Sequence, residues 1–329
     1  MPDPIVLVLT QEFDVTADCV VRILNERGVR VFRYDTSRFP RSSTLTTRST
    51  GTGWHTTLVD STYGRRSVRL EAVTSVWYRR PAPFTTDPAP QQAHRECAVK
   101  ESAHAVGGIF TAFPARWVNL PAVELRARYK PLQLKVAREA GLRIPKTLIT
   151  NDPEEVPRFH RECGTPIVYQ TLDSGLPHGP GGRPRGLPTI VPHDLSPDVL
   201  SRLRYSPCVF QELIDKAYEL RITVIGGKFF TVRVDDTDDE GGPPADSRGF
   251  PGTARYTRVP LPDETEKGLR RLMDSFGLAY GAIDIAVDRA GEHHFLKMDP
   301  AGQFAWLDDE VPGLDLAGAM ADYLSGTSD

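Results

Sequence analysis

The chain predicts an α/β unit at its start and α+β units after it, and three observations carry that reading. Its 329 residues exceed one small core, because domains run to roughly 100–200 residues. The opening reads strand, helix, strand: IVLVLT, an amphipathic run from Val15 to Arg27 closed by Gly28, then VRVFRYD, which is how a βαβ unit begins. The last third alternates hairpins with a helix and has no long parallel series, the pattern of an α+β domain.

Each element follows from local chemistry. After the first strand, Gln11, Glu12 and Phe13 stand where a dinucleotide fold would place glycines, so NAD binding is disfavoured. From Ser43 to Arg80 the pattern changes to short strands, WHTTLVD, RSVRLEAV and SVWYRRP, with turns at Gly51 to Gly53 and Gly64. Beyond the Pro-rich break at Pro81 to Pro90, helical periods run from Gln91 to Phe113 and from Pro121 to Ala140, the latter closed by Gly141. A boundary near Asn119 gives a first domain over 1–118. A second, over 119–208, holds the strand KTLIT, a helix from Asp152 (N-cap) to Cys163, the strand TPIVYQTL and a Gly-rich stretch over 173–188. That stretch is either a mobile flap or a solvated linker. The third, 209–329, carries the strand CVFQELI (begun at Cys208), a hairpin turning at Gly226 and Gly227, and an acidic loop from Asp235 to Thr253. A helix from Asp263 to Phe276 and a hairpin turning near Arg289 to Gly291 complete it.

Composition narrows the function. Hydrophobic residues at 40% and charged residues at 25% are ordinary for a chain that buries a core. With 40 Lys plus Arg against 43 Asp plus Glu, no global field attracts a polyanion, and nucleic acid is not an expected partner. No apolar stretch approaches the roughly 18 residues of a membrane span, and the N-terminus lacks a secretory pattern; a cytoplasmic protein is expected. Cys19, Cys97, Cys163 and Cys208 form no CxxC pair, which fits reduced thiols.

Asp284 and Asp299 form the strongest constellation, since one lies on a strand of the last hairpin and the other ends its partner. They can converge on a divalent cation beside a polyphosphate, although strand-end carboxylates also cap turns. Alternation along YELRITVIGGKFFTVRVD puts Glu219, Arg221 and Thr223 on one sheet face. Arg221, Arg233 and Arg248 could meet a transferring phosphoryl group with forked donors, or simply be exposed strand arginines. Gln211, Glu212 and Leu213 lie where a main-chain hinge could read adenine. His293 and His294 are adjacent on a strand, so they cannot share one metal. Arg126 to Lys130 (RARYK) reads as the solvated face of a helix.

Taken in order, the pieces VWYRRP (76–81), YKPLQLKVAREAGLRIPKTLIT (129–150), VFQELIDKAYELRITVIGGK (209–228), DSR (246–248), GAIDIAV (281–287) and FLKMDPAGQF (295–304) resemble the ATP-grasp superfamily. Within it they resemble the ribosomal-peptide maturases that make graspetides. The resemblance implies a pre-ATP-grasp domain, a small central domain and a C-terminal grasp domain clamping ATP between two antiparallel sheets. It implies a reaction in which ATP phosphorylates an Asp or Glu side chain of a precursor peptide, and a hydroxyl or amine then displaces phosphate to give an ester or amide cross-link. By the same likeness Glu212 and Leu213 contact adenine beside Gln211, and Glu219 holds the ribose. Arg221, Arg248 and Asp246 serve the phosphoryl group, and Asp284 and Asp299 hold magnesium. Arg79, Arg80 and Arg233 are candidates for binding the peptide. The partner expected is a precursor peptide with a leader and an acidic, hydroxyl-rich core, and a homo-oligomer is possible.

Two positions depart from the family pattern. Where a strand motif "VVYK" carries a phosphate-contacting lysine, this chain has Gln170. Where Leu-Glu-x-Asn-Pro carries the metal-bridging glutamate, it has Lys297, with Asp299 at the asparagine position. Weak or atypical magnesium binding is the expectation, with Lys297 acting partly as a phosphate counter-ion. The chain is then either an active, atypical peptide ligase or a pseudoenzyme that binds peptide or nucleotide as a recognition partner. A ligase for a small amino acid or protein tail is the third choice.

Overall fold

A computed structural model describes residues 4–51, 53–89, 91–172, 189–192, 196–236 and 254–327. The chain opens with β1 (Ile5–Leu9), α1 (Val15–Glu26) and β2 (Arg30–Tyr34). Asp14 caps α1 by accepting from the Ala17 N–H at 3.1 Å, and Gly28 (φ 74°) turns the chain out of it. A meander follows, β3 (Ser43–Thr50), β4 (Gly53–Asp60) and β5 (Arg66–Arg69), and then β6 (Val73–Tyr78), α2 (Gln92–Ala112) and β7 (Arg116–Val118). The parallel sheet runs β2-β1-β6-β7. It is buried on both faces: Ile5, Leu7 and Leu9 point to the core under α2 and the meander, and Val6 and Val8 to the core on the α1 side.

Next come α3 (Pro121–Arg128) and α4 (Lys130–Glu139), where one helix over 121–140 was expected. Pro131 is the reason, because it has no N–H to give the Ala127 carbonyl. That carbonyl instead accepts from Gln133 Nε2, which also reaches the Met298 carbonyl at 2.7 Å. Then follow β8 (Thr147–Thr150), α5 (Glu155–Cys163), β9 (Ile167–Gln170), β10 (Thr189–Val191), α6 (Pro197–Ser201) and β11 (Cys208–Glu212). Asp152 stands before α5 rather than at its cap, and accepts from the Glu154 N–H at 3.0 Å. The central sheet, β10-β9-β11-β8, packs on α5. The division expected between 208 and 209 therefore falls inside β11, which bonds to both β8 and β9.

The remainder is β12 (Lys216–Ile225), β13 (Lys228–Asp236), β14 (Ala254–Arg258), α7 (Asp263–Phe276), β15 (Tyr280–Asp288), β16 (His293–Asp299), α8 (Ala305–Glu310) and α9 (Leu316–Ser325). The strands form one antiparallel sheet, β14-β13-β12-β15-β16. Leu220, Ile222, Val224, Ile283 and Ile285 pack from one face onto α4 and α7. The last helix returns to the start of the chain: Leu316, Met320 and Leu324 of α9 share a core with Val20 and Leu24 of α1. No helix among the described residues is long and apolar enough to cross a membrane.

Candidate active site

The face of the large sheet turned away from α4 and α7 looks, around Glu219 and Lys297, toward the central sheet across a cleft. Glu219 opposes Ala286, and Asp284 stands between Arg221 on one neighbouring strand and Lys297 on the other. Period-two alternation puts these side chains on one face, as expected for Glu219, Arg221 and Thr223. The cleft encloses about 110 Å³. Val168, Ile190 and Leu296 supply its apolar walls, and Gln170, Gln211, Glu219 and Lys297 its polar ones. An apolar slot with cations at one end suits a purine and its phosphates.

The polar end is wired from the helix break. Lys130 donates from Nζ to Gln170 Oε1 at 2.9 Å and to the Thr171 carbonyl at 3.0 Å. Gln170 passes the chain to Gln211 at 3.0 Å, and Gln211 to the Thr147 hydroxyl at 3.0 Å. The solvated role expected for Lys130 is thus corrected: an ammonium reaches the Gln170 position from another helix. The signal was Pro131, which ends α3 and leaves Lys130 at the break rather than on its surface.

At the hinge, Glu212 and Leu213 line the cleft, but their N–H groups are engaged. The Glu212 N–H donates to the Lys146 carbonyl at 3.0 Å and the Leu213 N–H to the Pro166 carbonyl at 2.8 Å. The Leu213 N–H is therefore not available to the cleft. The Glu219 carboxylate sits 2.8 Å from Lys216 Nζ on the cleft wall.

Asp284 is buried, 2.7 Å from Arg221 Nη1 and 3.6 Å from Lys297 Nζ. Asp299 accepts from the Ala301 N–H at 2.9 Å and pairs with Arg80 at 3.3 Å. Gly302 closes the cluster, since a Cβ there would lie 2.5 Å from Ala282 Cβ, 3.3 Å from Arg221 Nη2 and 3.5 Å from Asp299 Cβ. The two carboxylates thus share the face with three cations. Among the described residues no three His, Cys, Asp or Glu side chains gather as metal ligands. The residues present do not fit the expected magnesium: a divalent ion about 4 Å from an ammonium is repelled by roughly 8 kcal/mol at an effective dielectric near 20.

The expected peptide-binding arginines separate. Arg79 is 1% exposed; it donates from Nη1 to the Ala301 carbonyl and lies 3.4 Å from Asp14. Burial lowers its guanidinium pKa, and it braces the seam between the parallel sheet and the 299–302 turn rather than facing a substrate. Arg80 is part-exposed with φ 45°, a left-handed conformation costly for a long side chain, and its Nε donates to the Ala301 carbonyl at 2.9 Å. Arg233 opposes Leu220, so it lies on the far face from Arg221, stacked 3.9 Å over Tyr218 and forked onto Asp235. His293 and His294 have separate partners, Thr265 and Asp288. Asp246, Arg248 and the 173–188 stretch lie outside the described residues.

One acid was missed by sequence reasoning. Glu124 of α3 is 2% exposed, paired to Arg128 through Oε1, with Oε2 buried and without a hydrogen-bond partner among the described residues. Burial, opposed by Arg128, raises its pKa to about 7.

Comparison with known proteins agrees with this architecture. Residues 5–124 match the model of the MvdD pre-ATP grasp domain. The macrocyclase MdnC of Microcystis aeruginosa MRC, solved with precursor peptide MdnA, superposes with a TM-score of 0.83 at 30% identity, covering 98% of this chain and 99% of that one. Macrocyclase MdnB from the same organism gives 0.79 at 30% identity over 98% and 99%. A RiPP-associated ATP-grasp ligase of Chryseobacterium gregarium, solved with ADP and leader and core peptides, gives 0.86 at 27% over 99% and 98%. No curated protein sequence matches significantly. Since the likeness to MdnC spans 98% of this chain at 30% identity, the chain belongs to the ATP-grasp ligase family of ribosomal-peptide macrocyclases.

Proposed function

We propose that this protein activates Asp or Glu side chains of a precursor peptide as acyl phosphates and joins them to hydroxyl or amine side chains of the same peptide. The observation that supports it most is the cation-edged cleft between the central and large sheets, lined by Gln170, Gln211, Glu219 and Lys297 with Lys130 reaching Gln170. ATP is a substrate here. The adenine fits the apolar slot beside Glu212, Leu213 and the next residue, Ile214, and the phosphates lie toward Lys130, Lys297 and Arg221. A peptide carboxylate oxygen attacks the terminal phosphorus as the bond to the ADP oxygen breaks. A hydroxyl or amine then attacks the acyl carbon, phosphate leaves, and the nucleophile's proton passes to solvent or phosphate. Arg221, held by Asp284 at 2.7 Å, presents fixed donors to charge developing during transfer. Arg248 and Asp246 belong to the same proposal.

The test combines the protein with ATP and a peptide having a leader and a Thr/Asp/Glu-rich core. Peptide-dependent ADP release and a loss of one water mass per cross-link are expected; ADP release without cross-links would overturn the peptide-ligase reading. The cations already paired with Asp284 and Asp299 favour one second reading, a nucleotide-binding recognition partner without turnover. Tight nucleotide and peptide binding with no ADP release would select it.

A further inference from the structure

Asp284 has no open side toward the cleft. It is placed by register directly across from Arg221 on β12 and Lys297 on β16, and its side chain is 5% exposed between a guanidinium at 2.7 Å and an ammonium at 3.6 Å. Magnesium binds oxygen at about 2.0–2.1 Å in near-octahedral geometry, so coordination by Asp284 would require at least Lys297 to leave. The second carboxylate, Asp299, is turned onto the Ala301 N–H and Arg80. Gly302 lets the turn lie close on this face beside Arg221 and Asp299. Lys297, in contrast, has a side chain 40% exposed and lines the nucleotide cleft, so its ammonium can be met by a ligand from the cleft.

We propose that Lys297 serves as a built-in counter-cation for the nucleotide phosphates, in the place of a divalent metal ion, so that nucleotide binds this protein without a magnesium requirement. The inference rests on the nucleotide site of the proposed function. Its physical basis is local charge: Arg221, Lys297 and Arg80 stand around Asp284 and Asp299, while the Glu219 carboxylate on the same face is already held by Lys216 at 2.8 Å, so the corner beside Lys297 attracts a phosphate and repels a free divalent ion. Lys216 is a second ammonium in the cleft lining, paired with Glu219, and Lys130 donates to Gln170, which lines the cleft.

The experiment is calorimetric titration of ADP into the full-length protein, once in EDTA and once in excess magnesium, for the wild type, Lys297→Met, Lys297→Arg and Lys297→Glu, with melting curves to establish that each variant is folded. The wild type is expected to bind ADP with affinities within threefold in the two buffers. Lys297→Met is expected to lose at least tenfold in EDTA, Lys297→Arg to keep metal-independent binding, and Lys297→Glu to bind measurably only with magnesium. Wild-type binding at least tenfold weaker in EDTA than in magnesium overturns the inference while leaving the nucleotide site intact. An unaltered EDTA affinity in Lys297→Met overturns it as well. Absence of ADP binding in both buffers overturns the nucleotide site itself and the inference with it. Should Lys297→Met fail to fold, Lys297→Glu decides: an EDTA affinity equal to the wild type's overturns the inference.

Discussion

Lys130 shows how a single residue can be misplaced by counting. Helical periodicity through 121–140 puts it on a solvated stripe, but Pro131 interrupts the helix, and the Lys130 ammonium reaches Gln170 at 2.9 Å. Lys130→Met should weaken ADP binding about 10- to 100-fold, the scale of one charge-assisted hydrogen bond of about 1.5–3 kcal/mol, with little change in melting temperature. Gln170→Lys in that background should restore most of the loss, as read by titration. Glu124 carries a different prediction. Its folded pKa of about 7 lies above the ordinary 4.5, so the fold binds its proton more tightly than the unfolded chain does. The stability associated with this group is present below pH about 4.5 and is lost as pH rises to about 7. At roughly 1.36 kcal/mol per unit the loss is on the order of 3 kcal/mol. Glu124→Gln should flatten the melting temperature across that window and melt higher than the wild type at pH 7.5; parallel pH profiles would sink this. The burial of Arg79 was not legible in sequence, because its partner Ala301 comes from more than 200 positions away; that of Glu124 was not, because its pairing with Arg128 four residues on is what an exposed helix face also shows.

At the scale of elements, much of the site was legible. Two-residue alternation placed Glu219 and Arg221 together, and the Gly226–Gly227 turn, with both φ positive, is the hairpin that the GG pair announces. That turn also sets the register across the hairpin. A two-residue loop pairs Ile225 with Lys228 and therefore Leu220 with Arg233, so the far-face position of Arg233 follows by counting. The turn after β16 is less readable, because Gly302 looks like an ordinary loop glycine until the contact with Ala282 is seen. Gly302→Ala should push the turn off the sheet and displace Arg221. The expected outcome is a large loss of ADP affinity with a fall of only about 1–3 kcal/mol in stability, the range of overpacking. An unchanged affinity in a folded variant would contradict the close approach.

Over the whole molecule, the seam near 119 is a junction rather than a linker. Asn119 is 2% exposed and uses its full amide: Nδ2 donates to the Tyr280 and Pro300 carbonyls at 3.0 and 2.9 Å, and Oδ1 accepts from the Ala279 and Tyr280 N–H groups at 2.9 and 3.1 Å. Asn119→Ala leaves buried backbone groups unpaired at about 1–3 kcal/mol each. It should lower the melting temperature of the entire chain in a single transition, whereas two separated transitions in calorimetry would show the units to be independent.

The return of α9 onto α1 has a consequence for synthesis. Leu316, Met320 and Leu324 are fully buried against the first unit, and each such side chain contributes about 1.5–3 kcal/mol. The first 118 residues emerge from the ribosome roughly 200 codons before these side chains exist, which at 5–20 residues per second is about 10–40 s. During that interval the outer face of α1 is bare, and the nascent chain is a client for whatever holds exposed apolar surface. A fragment of residues 1–118 should accordingly show no cooperative melt, and protease should cut stalled nascent chains within it until translation has passed α9; the first domain to be made is the last to be finished.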